Sequence, residues 1–213
     1  MPNSRLTAAQ ALHRLMEGNR AFVAGLSSDE PISRAEFLDL SRGQNPFAIV
    51  LGCSDARVPA EIVFNQGLGD LFVIRVAGNV VAPSQVGSVE FAASRYDARL
   101  VVVMGHSRCG AILSTIEALN NPGSSESRNL QSIVNRVKPS VEALMQTELA
   151  KDHDALVHHA VRANVAVSVN HLRSGSELLE RLIENEGLVV VGAEYSLETG
   201  KVEFFDTGGI AVG

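Results

Sequence analysis

Two cysteines and one histidine occupy equivalent places in this chain. Cys53 comes directly after an apolar run at 47–51 and Gly52, while His106 and Cys109 come after an apolar run at 100–104 and Gly105. Thiolate and imidazole are ligands that zinc prefers, and three protein ligands leave a fourth position for water, the pattern of a catalytic site. An Asp-x-Arg pair, Asp55 and Arg57, stands beside the first cysteine. Other readings exist. Two cysteines can pair as a disulfide, although a chain of 213 residues has little need of a staple. A buried cysteine is also commonly just a small hydrophobe. Gly105-x-Ser107 imitates a nucleophile elbow, but Cys109 stands where that motif needs glycine. His153, His158, His159 and His171, the partners a hydrolase triad would draw on, fall in a helical region and read as a solvated face. A helix starting after Gly110 could receive a phosphate, yet there is neither a P-loop nor a dinucleotide fingerprint.

The elements that must position these residues can be read from hydrophobic patterning. Unbroken apolar runs at 47–51, 71–76, 100–104 and 188–193 suggest strands covered on both faces, as in a parallel sheet. A last strand at 201–205, joined through a turn at 198–200, is antiparallel to its predecessor. Residues 7–24 form an amphipathic helix with Thr7 and Gln10 as a capping box. Residues 26–46 are polar and interrupted. Further helices cover 84–97, with Pro83 in the first turn, and 110–120. A long helical section fills about 126–186, with a capping box at Ser174 and Glu177. The expected fold is α/β: about four parallel strands plus one antiparallel edge strand, flanked by helices, with right-handed crossovers. Both cysteines then lie at the carboxyl edge of the sheet, where open α/β sheets gather ligands.

Composition narrows the function classes. The 46% apolar and 20% charged fractions are those of a globular protein with a full core, and residues 1–213 read as one domain. A net charge of −6 with interspersed signs argues against a nucleic-acid partner. No apolar run reaches the ~18 residues of a membrane span, and the first ten residues lack the apolar core of a signal peptide. A cytoplasmic protein is expected.

The segments C-S-D-A-R-V-P-A-E at 53–61 and G-H-S-R-C-G-A at 105–111 resemble the two signature segments of β-carbonic anhydrases. The likeness extends to 15–23 (L-M-E-G-N-R-A-F-V), 69–79 (G-D-L-F-V-I-R-V-A-G-N) and V-G-A-E-Y near the end, in the family's order. It implies a zinc enzyme that interconverts carbon dioxide and bicarbonate through zinc-bound hydroxide, with Cys53, His106 and Cys109 as ligands and Asp55–Arg57 as the catalytic pair. It also implies a closed low-pH state with Asp55 as fourth ligand. Gln44, Phe72, Ala77 and Phe91 fall on substrate-pocket positions, although both phenylalanines also read as core aromatics. The resemblance further implies a homodimer or homotetramer in which a helical arm, residues 1–46, packs on the partner subunit and residues 47–213 form the α/β core. Some members carry an inhibitory bicarbonate site built from Trp, Arg and Tyr. Here Arg75 and Tyr195 match, but Val50 replaces the Trp, so the open form is expected at neutral pH. Two other functions fit the same sequence: hydrolysis of carbonyl sulfide or carbon disulfide at the same metal, and a zinc-bound interaction protein without catalysis.

Overall fold

The structure is a computed structural model that describes residues 6–26, 33–121 and 127–211. Its centre is a five-stranded sheet: β1 (Ala48–Gly52), β2 (Leu71–Arg75), β3 (Leu100–His106), β4 (Val189–Tyr195) and β5 (Val202–Asp206), in the order β2-β1-β3-β4-β5. The first four strands are parallel and β5 runs antiparallel to β4. The unbroken apolar runs have the expected cause, since every residue of β1 and β3 is buried. Ala48, Val50, Leu100, Val102 and Met104 point into one core, and Ile49, Leu51, Val101 and Val103 into the other.

Helices α1 (Ala8–Val23), α2 (Arg34–Leu40), α3 (Ala60–Val63), α4 (Pro83–Arg95), α5 (Gly110–Asn120), α6 (Arg128–Glu142), α7 (His153–Ser174) and α8 (Glu177–Glu186) surround the sheet. The Thr7–Gln10 capping box starts α1, and Pro83 opens α4 at its first turn. The long helical section is three α-helices with two short 3-10 turns, Leu144–Gln146 and Glu148–Lys151, between the first two, and Ser127, Asp152 and Ser176 each cap an α-helix by accepting a backbone N–H. The cap of α8 is therefore Ser176. Ser174 is the last residue of α7, and its hydroxyl donates back to the Asn170 carbonyl instead. The short helices α2 and α3 were not legible as helices. The first exposes Phe37 and Leu38 and the second is a single turn, so neither shows an apolar stripe.

Helix α1 lays Ala8, Ala11, Leu12 and Leu15 against the core of its own chain. Gly18 permits the close approach, because a Cβ there would stand 1.9 Å from the Phe64 carbonyl oxygen. Next to it the buried Asn19 donates to the carbonyls of Val63 and Gly200 and accepts from the Val202 N–H, tying α1 to α3 and to the β4–β5 hairpin.

Candidate metal centre

The strand order decides where a ligand can sit. From β1 the chain moves outward to β2, and from β3 it moves the other way to β4, so the carboxyl ends of β1 and β3 border the crevice where the winding reverses. Cys53 follows β1 and His106 ends β3, while Cys109 is the cap residue of α5. All three are buried, and their Sγ and imidazole nitrogen atoms lie within 4.8 Å of one another. The two cysteines are free thiols.

The local hydrogen bonds fit this cluster to a metal. His106 Nδ1 lies 2.9 Å from the Ser107 carbonyl oxygen, which can only accept, so Nδ1 carries the proton and donates. Nε2 then holds the lone pair, and it is buried without a hydrogen-bond partner. A buried, unpartnered imidazole nitrogen beside two thiols is the donor set of a soft or borderline dication such as zinc. Of the two thiols, Cys53 is the one poised to lose its proton. Cys53 is lowered to about 4, mainly by the hydrogen bond from the Cys109 thiol and against its own burial, with the N–H groups of Gly78 and Asp55 assisting. Cys109, as the donor of that bond, is pushed up by it, by burial and by the charge on Cys53. Gly78 adopts φ 69° in the short turn Ala77–Asn79, and its N–H reaches Cys53 Sγ at 3.4 Å. A Cβ at Gly78 would meet that of Ala111 at 2.8 Å.

Asp55 is held to one side of the cluster. Arg57 Nε donates to its Oδ1 at 2.9 Å and the terminal nitrogen to Oδ2 at 2.7 Å, while the Arg57 backbone N–H also reaches Oδ1. These bonds, first the guanidinium, keep the carboxyl well below the usual carboxylate range. Asp55 Oδ2 remains 3.9 Å from His106 Nε2.

The expected pocket residues divide into two groups. Ala77 adjoins Gly78 and so stands beside Cys53. Phe72, Phe91 and Tyr96 form a separate aromatic cluster with ring centroids 5.8–6.1 Å apart, and Gln44 donates to the Tyr96 hydroxyl. Phe72 is opposite Ile49, four residues before Cys53, or roughly 13 Å along the strand. This group does not wall its own metal cluster. Phe91 is 53% exposed, which sets aside the reading of it as a core aromatic. Of the three positions matched to an inhibitory site, Val50 is fully buried in the sheet. Arg75 donates to the carbonyls of Cys53 and Asp55, and Tyr195 pairs in register with His106. The support given by Arg75 and Gly78 was not among the roles expected from the sequence; the signal was the run R-V-A-G-N at 75–79, which starts on the last residue of β2.

Comparison with known proteins agrees with this geometry. Residues 48–202 match the family model described as carbonic anhydrase. The chain is 36% identical to carbonic anhydrase 2 of Mycobacterium tuberculosis over 97% of this chain and 96% of that protein. In fold it resembles the β-carbonic anhydrase CafA of Aspergillus fumigatus, with a TM-score of 0.73 at 24% identity, covering 92% of this chain and 91% of that one. It also resembles a structure from work on two tetrameric β-carbonic anhydrases of Sordaria macrospora, with a TM-score of 0.71 at 22% identity, covering 91% and 96%. A mostly parallel α/β sheet with a Cys–His–Cys cluster that could hold a metal at its β1/β3 crevice matches the enzymes of this class. The chain belongs to the β-carbonic anhydrase family.

Proposed function

We propose that this carbonic anhydrase uses zinc held by Cys53, His106 and Cys109 to interconvert carbon dioxide and bicarbonate. The observation that carries the reading is the buried, unpartnered Nε2 of His106, set between two thiols beside a clamped carboxylate. Zinc, when bound, lowers the pKa of a water from about 15.7 towards about 7, so that a nucleophile exists near neutral pH. Cys53 and Cys109 give up their protons on binding, and their two negative charges offset the dication. Arg57 keeps Asp55 ionised and turned to the cluster, where the carboxylate accepts a hydrogen bond from the attacking water and aims its lone pair at carbon. A closed form with Asp55 as fourth ligand requires its bonds to Arg57 to break.

The apolar recess for carbon dioxide is formed between subunits of a homodimer or a homotetramer. Supporting this, Gln44, Phe72 and Phe91 cluster away from their own Cys53, and Phe91 is exposed. The Sordaria enzymes are described as tetrameric. Leu26, Phe37 and Leu38, all at least half exposed, supply the arm with an apolar face for a partner, although α1 packs on its own chain. Among the described residues no helix is long and apolar enough to cross a membrane. The two free thiols suit a reducing cytoplasm.

Stopped-flow carbon dioxide hydration tests the reading. Activity is expected from the zinc-loaded protein, with loss on metal removal and a large drop in Asp55→Ala. Turnover of carbon disulfide without any hydration of carbon dioxide would overturn it.

A further inference from the structure

The loop that supplies two of the three metal donors is latched to the β4–β5 turn. Ser107 Oγ donates to Glu198 Oε2 at 2.8 Å and accepts from the Leu197 N–H at 3.0 Å. Ser196 Oγ donates to the same carboxylate oxygen at 3.2 Å, and Arg108 Nε lies 3.1 Å from Oε1. One carboxylate therefore holds both residues between His106 and Cys109.

Two features give this latch leverage on the metal donors. The Ser107 carbonyl is the acceptor that orients His106 through Nδ1, and ligand imidazoles depend on such partners for direction and tautomer. Arg108 has φ 55°, a left-handed conformation that a side chain as bulky as arginine adopts only when its surroundings enforce it. The Ser107 N–H is separately bound to the Tyr195 carbonyl at 2.9 Å, so the loop is held from two directions.

We infer that Glu198 is a positioning residue for the metal centre: through Ser107 and Arg108 it directs the His106 lone pair and closes the 106–109 loop on the ion. This rests on the reading that Cys53, His106 and Cys109 hold zinc.

The test is metal affinity, measured on the purified zinc-loaded protein by competition with a chelator of known affinity. Glu198→Ala and Ser107→Ala are expected to weaken binding by roughly tenfold to a hundredfold. Glu198→Gln, which still accepts from the Ser107 hydroxyl, is expected to recover most of the loss. The visible absorption bands of the cobalt-substituted protein are expected to shift in Glu198→Ala. They should stay unchanged in Glu148→Ala, whose exposed pair with Lys151 involves neither loop nor turn. Should Glu198→Ala fail to fold, Ser107→Ala and Glu198→Gln supply the same comparison. Wild-type affinity and bands in whichever of Glu198→Ala and Ser107→Ala fold would overturn the inference, even if their thermal midpoints fell. A wild-type protein that takes up no zinc would overturn the proposed function first, and this inference with it.

Discussion

Arg57 grips Asp55 through both carboxylate oxygens, at 2.9 and 2.7 Å, with the Asp55 side chain 18% and the Arg57 side chain 57% exposed. Lysine offers a point charge rather than this planar fork, so Arg57→Lys is not conservative here. Arg57→Lys is expected to lower carbon dioxide hydration by about tenfold and Asp55→Ala by about a hundredfold, on the scale of losing one positioned proton-handling group. Zinc content, measured in parallel, should remain at the wild-type level. Since Arg57 holds the Asp55 carboxyl low, Arg57→Ala lets it rise towards its ordinary range. The Asp55 carboxyl, followed directly by carbon-13 NMR titration, should therefore titrate at higher pH in that variant, and an unmoved titration would argue against the clamp.

Metal removal should act on stability as well as activity. An ion held as proposed would bind only the folded arrangement of donors from the end of β1, β3 and the start of α5, so its binding free energy would add to folding. Chelation is expected to abolish hydration and lower the thermal midpoint, with zinc restoring both. Cys53→Ser and His106→Ala should purify with little metal. A chelated protein with an unchanged midpoint, once zinc loss is verified, would count against a buried site.

The sheet could be read in the sequence because β1 and β3 are buried along their whole length, leaving no polar residue to interrupt the run. The three donors could be read because strand ends at a winding reversal converge on one crevice. What escaped is set by distant contacts. Ser107 and Glu198 are 91 positions apart and Asn19 and Gly200 are 181 apart, and no local pattern marks either pair. The breaks within 126–186 were hidden for a different reason: Ser127, Asp152 and Ser176 become caps only where the chain leaves helical φ/ψ, which their residue types permit but do not require.

Asn19 joins three elements through one buried amide. Replacing it with alanine leaves the carbonyls of Val63 and Gly200 and the N–H of Val202 without their partner, at a buried to half-buried junction. Asn19→Ala is expected to cost about 2–3 kcal/mol of unfolding free energy. Urea unfolding at constant ionic strength checks this, and a loss under about 0.5 kcal/mol would mean that water re-pairs those groups.

The arm predicts an assembly effect. Phe37 is 63% and Leu38 50% exposed on a seven-residue helix that leaves half or more of each uncovered within the chain. Phe37→Ser with Leu38→Ser is expected to shift the particle towards monomer in light scattering and to reduce activity, while the far-ultraviolet circular dichroism stays unchanged. An unaltered mass would remove the arm from the interface.

Glu194 supplies a pH signature distinct from that of the metal centre. It lies on β4, paired with Gly105 on β3 and with Glu203 on β5, and faces His158 and Arg162 from α7. Burial raises its carboxyl above the ordinary range, only partly opposed by His158 and Arg162, with Glu203 adding to the rise. Because the folded state holds this proton more tightly than the unfolded chain does, the group favours folding when protonated. That contribution fades as pH rises from the ordinary glutamate range through the raised folded value. Glu194→Gln removes the titration while keeping the shape. Arg162 retains its bidentate pair with Glu203, at 2.9 and 3.1 Å. The variant should therefore gain stability relative to wild type as pH rises above the ordinary glutamate range, a trend that denaturant midpoints at several pH values would show. A difference that stays flat across those values would mean that His158 and Arg162 fully offset the burial of the charge.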